Sequence, residues 1–426
     1  MFKKFYLAFR VGAEEIRGSK FAKDAVGIAL LNILVRIFGF FGTAYAAKCL
    51  GPTNLGVSAI VQTTANQLAI AFDGGFNVTG VRAIAENRVD GVAIGRAIIA
   101  FRFSVSSLLA FIWIIGVINF APIEQRLPWL LGAPILMLLA INITFIFQGF
   151  ERLISQIFIN AVSVLMTTAA YFIFFKPNMF MGADLIVICA SGFFVASLSW
   201  YVFYKIDSNF FVMKIDWKVL KKIILESRVY WINSIVGTVY PAIQIFLVTY
   251  CLGLYENGIY RAALNTAGAM ELLFNSINSI LLARLIEWKK QGIENLWKRQ
   301  HKVTLFLGFI LLPVAATLIL LAPLMFSTLF GSDFQGAIII FQIAIIAKII
   351  VILGQPYSWG LVALRQDVGI TKIQLGIALI SVTINLIAIP VWGLNGAIIC
   401  MFITDFCYSA ACFILARNVI NKSKLL

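Results

Sequence analysis

Three observations predict an all-α polytopic membrane protein. Apolar stretches of membrane-crossing length recur along the chain, basic residues are distributed lopsidedly between the connections, and the second half echoes the first. Together they predict about 12 transmembrane helices in two pseudo-symmetric six-helix lobes around a central cavity. Of the 426 residues, 61% are hydrophobic and 12% charged, with a mean hydropathy of +0.94. A water-soluble chain of this length has no means of hiding so much apolar surface, so lipid is its solvent.

Crossing the hydrocarbon as a helix takes roughly 20 apolar residues. Such stretches fall at 24–47, 55–78, 95–119, 129–148, 154–175, 184–205, 229–252, 258–283, 303–326, 336–360, 371–391 and 395–416. The alternating pattern of a membrane β-barrel is absent. The first six spans form an N-lobe (24–205) and the last six a C-lobe (229–416), joined by a basic cytoplasmic linker (206–228). A cytoplasmic amphipathic N-terminal segment (1–23) and a cytoplasmic tail (417–426) flank them. The N-terminal segment sets Phe5, Tyr6, Phe9 and Ile16 among six basic residues, a pattern that suits the surface of an anionic leaflet. The stretch from Lys205 to Glu226 repeats it, with Phe210, Phe211, Trp217 and Leu220 beside Lys214, Lys218, Lys221 and Lys222. A solvated, charge-biased linker explains both equally well. No cleavable leader is expected before residue 24.

The net charge of +15 does not point to nucleic acid, because of where the charge lies. With the N-terminus in the cytoplasm, 27 Lys and Arg fall in cytoplasmic segments and three (Lys48, Arg126, Lys176) on the other side. Four lie within spans: Arg36, Arg102, Arg261 and Lys348. This split follows the positive-inside rule, places both termini in the cytoplasm, and supports an even number of spans.

The echo is explicit. Cys49-Leu50-Gly51 is followed by Gly56, and at an offset of 202 residues Cys251-Leu252-Gly253 is followed by Gly258. Gly182-Ala183 and Gly396-Ala397 give a weaker second echo, each opening the last span of its half. Six spans per half give the halves the same orientation, related by an axis along the membrane normal. Repeat interfaces of this kind are where transporters hold substrate.

An ionisable group inside a span costs about 2.5–3.5 kcal/mol on insertion scales, so each implies a polar cavity or a partner. In the first span Asn32, Arg36, Gly39 and Thr43 form one helical stripe; in the second, Gln62, Asn66 and Asp73 share a face with Asn77 near it. The seventh span repeats the pattern with Asn233, Gly237, Tyr240 and Gln244, and the eighth with Glu271, Asn275 and Asn278. These faces line a shared lumen. Arg36, Arg102 and Arg261, with Asn32, Asn66, Asn275 and Asn278, are the candidates for binding an anionic cargo, since guanidinium grips phosphate in a bidentate way. The competing explanation is that the arginines pair with acids and fasten helices. Asp73, Glu271 and Asp405 are the candidates for coupling to a proton or sodium gradient.

Several functions are disfavoured. No GxxxxGK[ST] motif is present, so this chain is not expected to hydrolyse ATP. The six cysteines have no metal-ligand spacing and read as packed thiols; neither a metal nor a cofactor is expected. The single histidine, His301, lies in a basic loop with no nucleophile set around it, and the outer loops are too short for a membrane polymerase, so the chain is not read as an enzyme.

The chain resembles bacterial polysaccharide transporters, specifically the O-antigen flippase (Wzx) family of the multidrug/oligosaccharidyl-lipid/polysaccharide exporter superfamily. The resemblance rests on Leu50-Gly51-Pro52 through Gly56, Asp73-Gly74-Gly75-Phe76, Phe147-Gln148-Gly149-Phe150-Glu151-Arg152, Leu252-Gly253 through Gly258-Ile259-Tyr260, and Asn385-Leu386-Ile387-Ala388-Ile389-Pro390 with Gly393 and Gly396-Ala397. Lys48 departs from relatives that more often carry Arg. The resemblance implies ion-gradient-driven movement of an undecaprenyl-pyrophosphate-linked oligosaccharide between the leaflets of a bacterial inner membrane by alternating access. Its implied partners are membrane lipids, a glycan polymerase and a chain-length regulator. A cation-coupled multidrug exporter of the same superfamily is the alternative, and arginine in the spans disfavours it. The related lipid II flippases have fourteen spans rather than twelve.

Overall fold

The computed structural model describes residues 20–88, 90–206 and 217–424, with side chains described outside 20–33, 270–280 and a few single positions. The N-terminal segment 1–19 and linker residues 207–216 lie outside the described residues. The described elements are helical: α1 (Lys20–Asp73), α2 (Phe76–Glu86), α3 (Gly91–Phe120), α4 (Arg126–Ala140), α5 (Thr144–Gly149), α6 (Leu153–Phe174), α7 (Ala183–Ile206), α8 (Trp217–Leu252), α9 (Leu254–Lys290), α10 (Ile293–Met325), α11 (Ala337–Ala363) and α12 (Asp367–Lys424). A π turn (Phe326–Phe330) and a 3-10 turn (Ser332–Phe334) join α10 to α11.

Two of these helices are too long to cross once. α1 has 54 residues, about 80 Å if straight, but Gly51 leaves the helical conformation (φ 74°, ψ 168°) just before Pro52. There the chain folds back, so that Thr43 on the first arm and Gln62 on the second line one cavity. α12 has 58 residues and breaks at Gly393. Across that break the Cys400 thiol donates to the Ser381 carbonyl at 3.6 Å, where a straight helix would separate the two by about 28 Å. Nine helices among the described residues are long and apolar enough to cross a membrane. Two of the nine are these hairpins, each crossing twice. α9, with 37 residues, is long enough for one more crossing, so the expected spans all fall on observed helices.

The boundaries differ from expectation where polar residues interrupt the helix. The second span stops at Asp73, and α2 is a separate 11-residue helix. The fourth span breaks between α4 and α5 at Asn142, whose side chain accepts the Thr144 amide at 2.9 Å in a local turn that precedes the new helix. Residues 217–228 of the expected linker are helical. They are the first turns of α8 and turn Leu220, Ile223 and Ser227 inward. Ser227 and Thr79 of α2 share a hydrogen bond at 2.6 Å, and the Trp231 indole donates to the Ile70 carbonyl at 2.8 Å. At its other end α8 packs in the second half, where Gln244 donates to Asn385 at 3.2 Å. α8 thus crosses diagonally from the first half to the second.

The halves meet most closely at the end away from the basic loops. The echoed Gly51 and Gly253 share a non-helical backbone (φ 74° and 101°). A Cβ on Gly56 would strike the Leu254 carbonyl oxygen, and one on Gly258 the Pro52 carbonyl oxygen. Leu254 lies 202 residues after Pro52, so the contact is reciprocal under the internal repeat. Small residues permit this backbone-to-backbone approach, which is how membrane helices gain packing without a hydrophobic drive. Asn257 donates to the Gly56 carbonyl at 2.9 Å and Lys48 to the Thr328 carbonyl at 3.1 Å, tying the same end shut.

Candidate functional site

Two cavities lie along one face of the second arm of α1. The smaller, about 110 Å³, lies between the two arms of α1, α6, α7, α9 and the π turn. Thr43, Gln62, Tyr171, Asp184, Arg261, Asn265, Thr266 and Phe330 are among its walls. The π turn, an arrangement that often marks functional sites, aims Phe330 into it. Arg261 comes from α9, about two turns below the Gly253 bend. It has no hydrogen bond or ion pair among the described residues. Among the described residues the one acid in these walls, Asp184, is 4% exposed and already accepts from Ser58 at 2.6 Å. A partly buried guanidinium with its donors unspent in a polar space is arranged to take an anion.

Arg36 is exposed on α1 and has its own interaction partners. It lies seven residues before Thr43, on the same helix face and about 10 Å nearer the basic end. Arg36 lines neither cavity; it shares the helix face that carries Thr43 into the small one.

The larger cavity, about 540 Å³, is at that basic half, between α1, α3, α4, α5 and α8. Asn66, Asp73, Asn77, Arg102, Asn142, Thr144, Gln148, Ser234 and Thr238 line it. Arg102 does not reach into it as a free cation. Its side chain is 2% exposed and ion-paired with Asp73. It also donates to Asn77 Oδ1 at 3.2 Å and to the Asn142 carbonyl at 3.3 Å, with the Phe145 ring 4.7 Å from the guanidinium carbon. Asp73's second oxygen accepts from Asn77 at 2.7 Å. The two sequence candidates Arg102 and Asp73 thus spend their charges on each other, as the fastening explanation requires.

The remaining candidates divide as follows. Asn66 is exposed in the large cavity. Asp405 is half-buried on α12 and has interaction partners. Asn32 lies on α1 and Glu271, Asn275 and Asn278 on α9; their side chains are outside those described. The stripe on α8 feeds a buried network in the second half: Tyr260 donates to Gln244 at 3.1 Å and Asn385 to the Ser381 carbonyl at 2.8 Å.

Sequence reading missed Asp184, because an acid in the first turn of a span passes for an interfacial residue. It also left Gln148 without a role, although Gln148 belongs to the Phe147–Arg152 stretch. There Glu151 adopts φ 58° and pairs with Arg88 at 2.8 Å, fixing the turn that brings Gln148 to the cavity. Among the described residues no group of three or more metal-ligating side chains occurs.

The sequence profile of a family described as "Polysaccharide biosynthesis protein" matches residues 21–285, more than half of the chain. No curated protein matches the chain by sequence. Among solved structures, the chain is similar to the inward-facing conformation of a multidrug resistance MATE family transporter of the MOP superfamily. Identity is 14%, 93% of this chain and 99% of that one are covered, and the TM-score is 0.72. It is similar to the lipid II flippase MurJ in an inward closed conformation, at 13% identity, 92% and 87% coverage and TM-score 0.71. It is also similar to a MOP superfamily transporter from Pyrococcus furiosus, described as having a binding pocket of reverse polarity, at 13% identity, 93% and 96% coverage and TM-score 0.59. At these identities the likeness is one of fold.

Proposed function

The chain belongs to the polysaccharide biosynthesis protein family, and from that premise we propose that it is a flippase for an undecaprenyl-pyrophosphate-linked oligosaccharide, an O-antigen repeat unit or similar glycan. It moves this cargo from the cytoplasmic to the periplasmic leaflet of the bacterial inner membrane. The transporter fold and the family support the reading, and the observation that carries it is Arg261. A guanidinium with no partner among the described residues, in a cavity between the two halves, suits a pyrophosphate. It repels an organic cation, so it weighs against the multidrug exporter whose fold the chain shares. Arg36 extends the cationic face toward the basic end, and the lipid tail stays in the bilayer.

Transport follows alternating access. With the Gly56–Gly258 crossing closed, cargo enters from the basic end; parting of that crossing releases it on the other side. An ion gradient drives the cycle, with Glu271, Asp405 and Asp184 as the carboxylates that couple it. Asp73 is a weaker candidate because both its oxygens are taken by Arg102 and Asn77.

The test is complementation. A strain lacking its own repeat-unit flippase receives wild type, Arg261→Lys or Arg261→Ala at matched membrane abundance. Surface glycan and inner-leaflet lipid-linked repeat unit are measured. Wild type restores export, Arg261→Ala lowers it at least about tenfold, the scale of one lost charge-assisted contact, and Arg261→Lys lies between. A wild type that restores nothing, in a strain where no lipid-linked unit accumulates without it, overturns the reading.

A further inference from the structure

Among the described residues, the only charged side chains in the walls of the large cavity, Arg102 and Asp73, neutralise each other. We propose that this cavity is a saccharide subsite: it holds uncharged sugar rings by their hydroxyls, while the diphosphate is held separately by Arg261. The inference rests on the flippase reading above and adds to it which part of the cargo sits where.

The wall chemistry excludes other occupants. An anion finds no free guanidinium, because the terminal nitrogens of Arg102 are committed to Asp73, Asn77 and the Asn142 carbonyl. A hard cation finds no free carboxylate, because Asp73 accepts from both Arg102 and Asn77. An apolar ligand would leave the amides unsatisfied.

What the cavity does offer is unspent hydrogen-bonding capacity. Among the described residues, the side chains of Asn66 and Gln148 and the Nδ2 group of Asn142 have no protein partner. Thr238 donates to the Ser234 carbonyl and keeps its acceptor capacity. Amides both donate and accept, which matches hydroxyls that do the same. Arg102 acts as a positioning residue here: it orients Asn77 and the Asn142 turn without meeting the sugar.

Size and placement agree. A volume of about 540 Å³ lies within the range of small-ligand sites and accommodates one or two sugar rings. Gln62 lines the small cavity and Asn66 the large one. They are one helical turn apart on the same arm, about 6 Å along the axis. A diphosphate at Arg261 and the sugars attached to it therefore meet the two cavities in succession. The exposed side chains of Asn66, Asn77 and Asn142 leave the larger one open at the basic half.

The experiment measures affinity of purified full-length protein in nanodiscs for two probes: undecaprenyl pyrophosphate bearing the complementing strain's repeat unit, and bare undecaprenyl pyrophosphate. Variants are Asn66→Ala, Gln148→Ala and Arg261→Ala, each checked for an unchanged thermal midpoint; Gln148→Asn replaces an amide variant, and Arg261→Lys the arginine variant, that fails this check. Wild type binds the glycosylated lipid at least about tenfold tighter, the expected worth of one to two hydroxyl contacts. Asn66→Ala and Gln148→Ala collapse that ratio toward one while bare-lipid affinity stays within about twofold, and Arg261→Ala weakens both probes alike. Equal affinity of wild type for the two probes, or a ratio unmoved by the amide variants, overturns the subsite and leaves the flippase reading standing. Binding of neither probe overturns the flippase reading itself.

Discussion

Arg102 and Arg261 are the same residue type in the same kind of apolar span, and their surroundings give them opposite roles. Arg102 is 2% exposed and paired with Asp73; Arg261 faces a cavity with its donors unspent. Removing one partner of a buried pair costs roughly 3–5 kcal/mol, because the other charge is stranded. Asp73 is about one-third exposed, so solvent reduces that figure, and Arg102→Leu is expected to cost about 2–3 kcal/mol. Thermal unfolding of the detergent-purified protein checks this: the midpoint falls for Arg102→Leu and partly recovers when Asp73→Leu is added. Arg261→Leu, which strands no acid, leaves it near wild type. Sequence marked both arginines as significant but did not separate them. The distinction depends on Asp73 arriving from another helix, 29 residues earlier in the chain. Asp184 was invisible for the same reason, since only packing against Ser58 reveals that it is buried.

Among the elements, the two bent hairpins and the glycine crossing organise the molecule. The repeat Gly51…Gly56 and Gly253…Gly258 was legible because it is local and near-identical, and its geometry follows from it. The first glycine of each copy bends the chain and the second permits contact. Helix existence was equally legible from apolar length alone. The break at Asn142 and the inward face of α8 were not, because a local side-chain turn and a tertiary contact accompany them. Gly258→Ala places a methyl group against a backbone carbonyl that has nowhere to move. It is expected to part the crossing at a cost of about 1–3 kcal/mol. Spin labels at positions 48 and 328, which lie side by side across this end, report this in a background without the native cysteines, against the same labelled pair with Gly258 kept. The distance lengthens in Gly258→Ala; an unchanged distance means that the contact does not hold this end closed.

For the whole molecule, the charge asymmetry, the internal repeat and the closed crossing belong to one picture. Basic loops gather at one end, and the glycine crossing closes the other. Between them a cationic cavity and a neutral polar one follow each other along α1. The sequence showed that polar faces exist in both halves; their sorting into a charged and an uncharged compartment emerged only in three dimensions. The most direct test of the central claim is reconstitution. Proteoliposomes carry the lipid-linked repeat unit, an imposed proton or sodium gradient, and an impermeant enzyme outside that reports the glycan's arrival. The account predicts gradient-dependent movement by wild type and its loss in Arg261→Ala. Gradient-driven export of an organic cation by wild type, with the lipid-linked glycan left in place, would contradict it.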